Sequence, residues 1–506
     1  MSSQFQPPQS KAEADPRRWL ALAVLLIASF MNLIDVTIVN VAIPSMQANL
    51  GADASQIEWV IAAYVLAFAL GLLPFGRLGD IVGRTKMFLI GVTAFTAASA
   101  FCGFAPSIEW LIAARVLQGI AGSMMTPQVL AIATVTFPPE ERGQSFSLFG
   151  LASGLAAVAG PIAGGLLIGA NLGGLDWRPI FLVNVPVGIL AVGLGWFLIP
   201  RTPGHPGLRN DFVGIGLFGA SMVALVYPLI EGREYGWPAW SWAMMAGALA
   251  LLVLFVLWER RMARLDRPQL LNFNLITNRN FLLGAAVTTI FASGIPGFFM
   301  VISLLLQVGF GFSPIESGLT NTPFSVGVLI ISLIAGRFGS AYLRTRVAIA
   351  AGLLVTGILW LHFIIANLGD TIDHWTFLPP LLIAGLGLGL GFSALFQTVL
   401  AGIPPRDAGS ASGALQAFQQ VGGSVGVALV GEIFFTRLGD IGTLFRTGPA
   451  AVHAAFADSA SLSTWYQIVS FGLVIALVFL LKPRGTAQGH GSASAHAAPP
   501  PVPVEA

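Results

Sequence analysis

The grouping of the apolar residues constrains this chain more than any other feature. They gather into fourteen runs, most of them close to the length needed to cross a bilayer. A spanning helix needs roughly 20 mostly apolar residues, because hydrocarbon offers backbone N–H and C=O groups no outside partner. With that ruler, helices are predicted near 19–43, 56–76, 87–105, 108–132, 144–169, 178–199, 211–230 and 241–258. Six more are predicted near 281–307, 315–336, 347–366, 377–399, 409–435 and 463–481. Charged residues make up 9% of the 506, against roughly 25% in a typical soluble domain. Such a composition argues against soluble enzymes, nucleic-acid binders and secreted scaffolds. The single cysteine, Cys102, excludes an internal disulfide and a CxxC metal site. Asp35 and Asn40 interrupt the first run, which is too long for a cleaved signal peptide. The expected class is an all-α polytopic membrane protein.

The side on which each loop falls follows from its basic residues. If the N-terminus is inside, 20 of the 25 Lys and Arg residues lie on the cytoplasmic side, among them Lys11, Arg17, Arg18, Arg77, Arg84, Lys86, Arg260, Arg261, Arg346 and Lys482. Arg178, Arg233, Arg437 and Arg446 fall outside, and Arg115 lies within a span. Both termini are then expected to be cytoplasmic. An internal repeat divides the chain further. Residues 76–86 (GRLGDIVGRTK) echo 336–346 (GRFGSAYLRTR) at five of eleven positions, and 138–143 (PPEERG) echo 404–409 (PPRDAG). The offsets of 260 and 266 residues fit two parallel six-helix bundles separated by one inserted helix pair. The expected divisions are a cytoplasmic segment 1–18, a first bundle 19–199, a linker with two inserted helices 200–280, a second bundle 281–481 and a disordered cytoplasmic tail 482–506. Parallel repeats of this kind occur in transporters that rock around a midplane site.

Several stretches carry a family resemblance across residues 15–482. They are Gly76, Asp80, Gly83, Arg84 and Lys86 in the loop after the second span, with Ile81 where a basic residue is usual, and Arg115, Gln118 and Gly119 in the fourth span. Gly160, Pro161, Gly164 and Gly165 in the fifth span add to these, as do residues 35–44 (DVTIVNVAIP) and 177–188 (WRPIFLVNVPVG). The chain resembles the major facilitator superfamily, specifically its fourteen-helix drug:proton antiporters of the EmrB/QacA type. The resemblance implies a major facilitator fold, a gating loop at Gly76–Lys86, an antiporter motif at Gly160–Gly165 and a bacterial inner-membrane location.

Physical readings stand beside these implications. Asp35 sits about 12 Å below the outer end of its helix at 1.5 Å per residue, and an ionisable residue so deep is a functional candidate. Arg115 enters to a similar depth, so the two can pair and tune a proton site or simply brace the helices. Glu432, near the outer end of the thirteenth span, reads equally as a coupling carboxylate or an interfacial one. His362 reads as an interface histidine, and Glu58 as a carboxylate suited to a helix N-terminus. Small residues at Gly160, Gly164 and Gly165 let backbones approach, and Pro161 bends its helix. Asn40, Gln118, Met124, Met125, Gln128, Phe298, Phe299, Asn321, Gln397 and Gln419 are candidates to line a substrate cavity. No P-loop, metal cluster or catalytic triad is present in the sequence, so no cofactor and no enzymatic reaction are expected.

These readings together predict secondary active export of lipophilic, often cationic, compounds in exchange for protons. The partners would be the substrate, protons and the bilayer, with no nucleic acid, and a periplasmic adaptor is left open. A proton-coupled uptake symporter for a small nutrient is the first alternative, which the Gly-Pro motif disfavours. A non-transporting receptor or scaffold is the second, which buried charge at Asp35 and Arg115 disfavours.

Overall fold

The computed structural model describes residues 16–204, 210–271, 273–335, 342–369, 371–400, 403, 408–439, 444–446 and 448–481. Regular structure among them is entirely helical. The first six long helices are α1 (Arg18–Leu50), α2 (Ala54–Val82), α3 (Arg84–Gly103), α4 (Ile108–Thr136), α5 (Pro139–Gly169) and α6 (Pro179–Leu198). An inserted pair follows, α7 (Phe212–Glu231) and α8 (Ala239–Arg264). The last six are α9 (Arg279–Gly309), α10 (Pro314–Ala335), α11 (Leu343–Ala366), α12 (His374–Leu400), α13 (Ala408–Leu438) and α14 (Pro449–Val478). Thirteen of these segments are long and apolar enough to span a membrane among the described residues. The 31-residue α5 takes the remaining place in the expected order of fourteen.

Polar signals set the ends. Asp53 and Gln56 form a reciprocal capping box at the start of α2, Ser107 caps α4, and Asp211 accepts from the Gly214 N–H at 2.9 Å to cap α7. Gly51 closes α1 in the left-handed region at φ 65°. Several helices outrun their expected apolar runs; α2 runs to Val82 rather than 76, so Gly76 and Asp80 of the expected gating loop are helical and Gly83 alone separates α2 from α3. α1 continues to Leu50 rather than 43, and α14 begins at Pro449 rather than 463. Hydropathy measures only the lipid-length stretch, whereas a helix continues until a cap or a proline at its first turn bounds it. Gly336, Arg337 and most of the second basic loop lie outside the described residues, as do Lys11, Arg209, Arg406, Lys482, Arg484 and the tail.

Helix packing repeats with a period of eight helices. Within the first half α2 packs on α4, α3 on α4, α1 on α5 and α3 on α6. Within the second, α10 packs on α12, α11 on α12, α9 on α13 and α11 on α14. The halves join through the symmetry-related pairs α5–α10 and α2–α13. This is the parallel-repeat architecture that the sequence offset requires. The inserted pair lies to one side: Phe218 of α7 meets Phe255 of α8 and Phe418 of α13, and α8 is the least buried of the thirteen span-length apolar helices.

The two ends of the bundle differ. At the end remote from the start of α1, the halves are pressed together: Gln307 of α9 donates to the Val41 carbonyl at 2.9 Å, and Ser424 of α13 donates to the Ala62 carbonyl at 3.3 Å. At the end that carries the start of α1, a cavity of about 940 Å³ opens between α2, α4, α13 and the segments flanking the inserted pair.

Candidate functional site

The two charges expected inside the first bundle meet. Arg115 Nη1 lies 2.6 Å from Asp35 Oδ2, and both side chains are fully enclosed, at 2% and 0% exposure. Among the described residues, the other hydrogen-bond partners of Asp35 are also donors: Gln118 Nε2 reaches Oδ1 at 2.7 Å and Asn184 Nδ2 reaches it at 3.2 Å. Arg115 is held independently as well. Its Nε donates to the Val60 carbonyl at 3.0 Å, its Nη1 to Gln118 Oε1 at 2.7 Å, and its guanidinium lies 4.1 Å from the centre of the Tyr64 ring. Ser99 completes the group, accepting from Gln118 at 3.2 Å and Asn184 at 2.9 Å while donating to the Phe181 carbonyl. One buried charge pair thus ties α1, α2, α3, α4 and α6 together. A proton arriving on Asp35 would cancel the charge that draws Arg115 toward α1, while Arg115 would keep its carbonyl, amide and ring.

The glycines of α5 have a mechanical position. Gly160 abuts Thr37 of α1, and Gly164 abuts Ile38. A Cβ added at Gly165 would stand 2.8 Å from the Ile315 Cα of α10, and one added at Gly318 would stand 2.6 Å from the Pro161 carbonyl oxygen. The seam between the halves is backbone against backbone, which only small residues permit.

Other sequence candidates scatter. At the corner between α2 and α3, Asp80 pairs with Arg84 at 2.8 Å, and Arg84 reaches the Ala131 carbonyl of α4 at 3.3 Å. Both border the 940 Å³ cavity with Gly76 and Gln128, and Arg77 donates to the Gln269 carbonyl at 2.7 Å. Gly83 abuts the Thr202 carbonyl, and Lys86 is exposed. Gln118 belongs to the charge network, and Met124 packs beside Gly91 of α3. Phe298 is core, stacked edge-on against Phe299. Gln397 is exposed and Gln419 half-buried. Asn40 and Asn321 donate to carbonyls of their own helices, and their buried Oδ1 atoms have no hydrogen-bond partner among the described residues. His362 bridges α11 to α14 through the Ser461 carbonyl and Thr464, both at 3.0 Å.

Glu58 departs from its sequence reading. It is buried rather than serving an exposed helix terminus, and Arg233, from the turn between α7 and α8, donates to it at 3.0 Å. Glu432 lies 3.9 Å from the same guanidinium. Ser99, Tyr64 and Arg233 were not singled out from the sequence. A hydroxyl, a phenol and a loop arginine leave no pattern in hydropathy, whereas Asn184 did stand inside a quoted motif.

A chain of two packed helical repeats, with a buried charge pair in one half and a cavity opening at one end, is a polytopic membrane transporter. It belongs to the Major Facilitator Superfamily, whose family model matches residues 25–213 and 206–427. A probable actinorhodin transporter of Streptomyces coelicolor is 40% identical over 86% of this chain and 76% of its own length. The puromycin resistance protein pur8 of Streptomyces alboniger is 34% identical over 96% of this chain and 95% of its own length. The multidrug export protein EmrB of Haemophilus influenzae is 29% identical over 90% of this chain and 87% of its own length. Among solved structures, a bacterial homologue of the lysosomal transporter Spinster, inward-facing and occupied, shares the fold. Its TM-score is 0.63 at 17% identity, covering 92% of this chain and 97% of that one. The protein is therefore a membrane transporter of small molecules and not an enzyme.

Proposed function

We propose that this transporter exports lipophilic, often cationic, compounds in exchange for protons, by alternating access across a bacterial inner membrane with both termini cytoplasmic. The observation that carries this reading is the sealed Asp35–Arg115 pair, a carboxylate inside an apolar bundle whose hydrogen-bond partners among the described residues are all donors. On this reading the cavity at the terminal end faces the cytoplasm, and the closed seam faces outward. Proton release and binding at Asp35 alternately engage and free Arg115, so α1 shifts against α2, α4 and α6. Export and resistance proteins among the relatives agree with that direction. The energetics are sufficient: each pH unit across the membrane supplies about 1.4 kcal/mol, a tenfold concentration ratio. No cofactor is needed beyond the proton gradient.

The test is drug accumulation in a pump-deficient bacterium carrying this protein, with and without an uncoupler. Lower accumulation that the uncoupler abolishes is the expected result. Higher accumulation would show uptake instead, and accumulation unchanged by the protein across a broad panel would dismiss the export reading.

A further inference from the structure

At the closed end of the bundle, the turn between α7 and α8 reaches across both halves. Glu231 accepts from the Trp59 indole at 2.7 Å and Glu234 accepts from the Ser55 N–H at 3.4 Å, both on α2 of the first half. The Trp237 indole donates to Glu432 at 3.2 Å on α13 of the second half. Between these ties Arg233 points inward. Its Nη1 donates to Glu58 at 3.0 Å and to the Gly431 carbonyl at 3.2 Å, stands 3.9 Å from Glu432, and its guanidinium lies 5.0 Å from the Phe435 ring. Gly431 abuts the Glu58 carboxyl, which would have to shift if a Cβ stood there. The turn is tightly wound: Gly236 and Trp237 both hold positive φ, and the Trp237 N–H returns to the Gly232 carbonyl at 2.7 Å.

The charge count of the contact is unbalanced. One arginine, 14% exposed, serves two carboxylates that are 0% and 23% exposed. Glu58 Oε2, Glu432 Oε2 and Arg233 Nη2 are buried without a hydrogen bond among the described residues. Two carboxylates drawn from opposite halves repel unless the cation stays between them, and breaking a buried ion pair by removing one partner is strongly destabilising. Separating α2 from α13 would pull Arg233 from at least one carboxylate.

We propose that Arg233 is a positioning residue of the outer gate: an ionic clasp, carried by the inserted helix pair, that holds Glu58 of one half against Glu432 of the other. The inserted pair is then a working part of the gate rather than a peripheral addition. The role in transport rests on the alternating-access reading above, but the clasp itself is tested without drug or gradient, so the two fail separately.

Spin labels at Leu172→Cys and Phe445→Cys, two exposed positions at the closed end on opposite halves, report the gap by pulsed electron resonance in lipid nanodiscs. Cys102 is fully buried and remains in place. The doubly labelled parent should give one short distance population. Arg233→Gln should add a longer population, Arg233→Lys should largely retain the short one, and Arg233→Gln with Glu58→Gln and Glu432→Gln should restore it, since no charge then remains to be held. A parent-like distribution for Arg233→Gln overturns the clasp, and so does a longer population that the neutral triple variant fails to reverse. Should Arg233→Gln not be recovered as a monodisperse protein, Arg233→Met, which keeps the apolar stem and removes the charge, is read in its place. It leaves Glu58 and Glu432 facing each other without a cation and is expected to lengthen the distance; no lengthening would again overturn the proposal.

Discussion

Asp35 is the residue on which the coupling reading stands, and its neighbours decide what its replacement does. Asn keeps the shape and accepts through one carbonyl oxygen, but its amide then faces a donor and Arg115 keeps only the Val60 carbonyl, Gln118 and the Tyr64 ring without a counter-charge. Asp35→Asn is therefore expected to reach the membrane at reduced abundance, while proton-driven efflux per molecule falls to the level of cells without the protein. Abundance and efflux measured on one preparation check this, and full efflux at an imposed pH gradient would remove Asp35 from the coupling step. Arg115→Leu should behave worse, because an uncompensated buried carboxylate then remains; losing one partner of a buried pair costs about 3–5 kcal/mol, which would appear as lost expression. The sequence made this pair legible because a charge inside an apolar run is conspicuous. It could not show Ser99 or Tyr64, whose polar atoms are ordinary in a membrane helix. Glu58 was misread because a carboxylate at a helix start already has a sufficient local explanation, and its arginine comes from 175 residues away.

At the scale of elements, α5 and the last turn of α2 carry opposite expectations. A methyl at Gly165 meets the α10 backbone, which has no side chain to move aside. Overpacking of this kind costs about 1–3 kcal/mol, so Gly165→Ala should disfavour the closed seam and slow transport without reducing membrane abundance. Transport rates in proteoliposomes, with abundance as the control, measure it. Asp80, in the last turn of α2, stands beside the open cavity and pairs within its own half with Arg84. If it locks that end when the cavity closes, Asp80→Asn should slow transport while leaving substrate binding near the parental level; an unchanged rate would exclude the lock. Element identity was readable from apolar length, and element ends less so. α14 starts fourteen residues before its hydropathic core because His453 and Asp458 dilute the apolar signal without breaking the helix.

For the whole molecule, the repeat of helix contacts and the bias of basic residues make a joint prediction about sidedness. Reporter fusions at Gly204 and Gly485 should both report the cytoplasm and one at Gly311 the exterior; an exterior signal at Gly485 would contradict an even number of spans. The α5–α10 seam has a further consequence for speed. Gly165 and Gly318 contribute no side-chain torsions, and burying glycine, alanine or proline side chains forfeits essentially no rotamer freedom. On the alternating-access reading, surfaces that meet at such residues have few rotamers to search as they rejoin, so the closing rate is expected to be governed by lipid and charge more than by side-chain repacking.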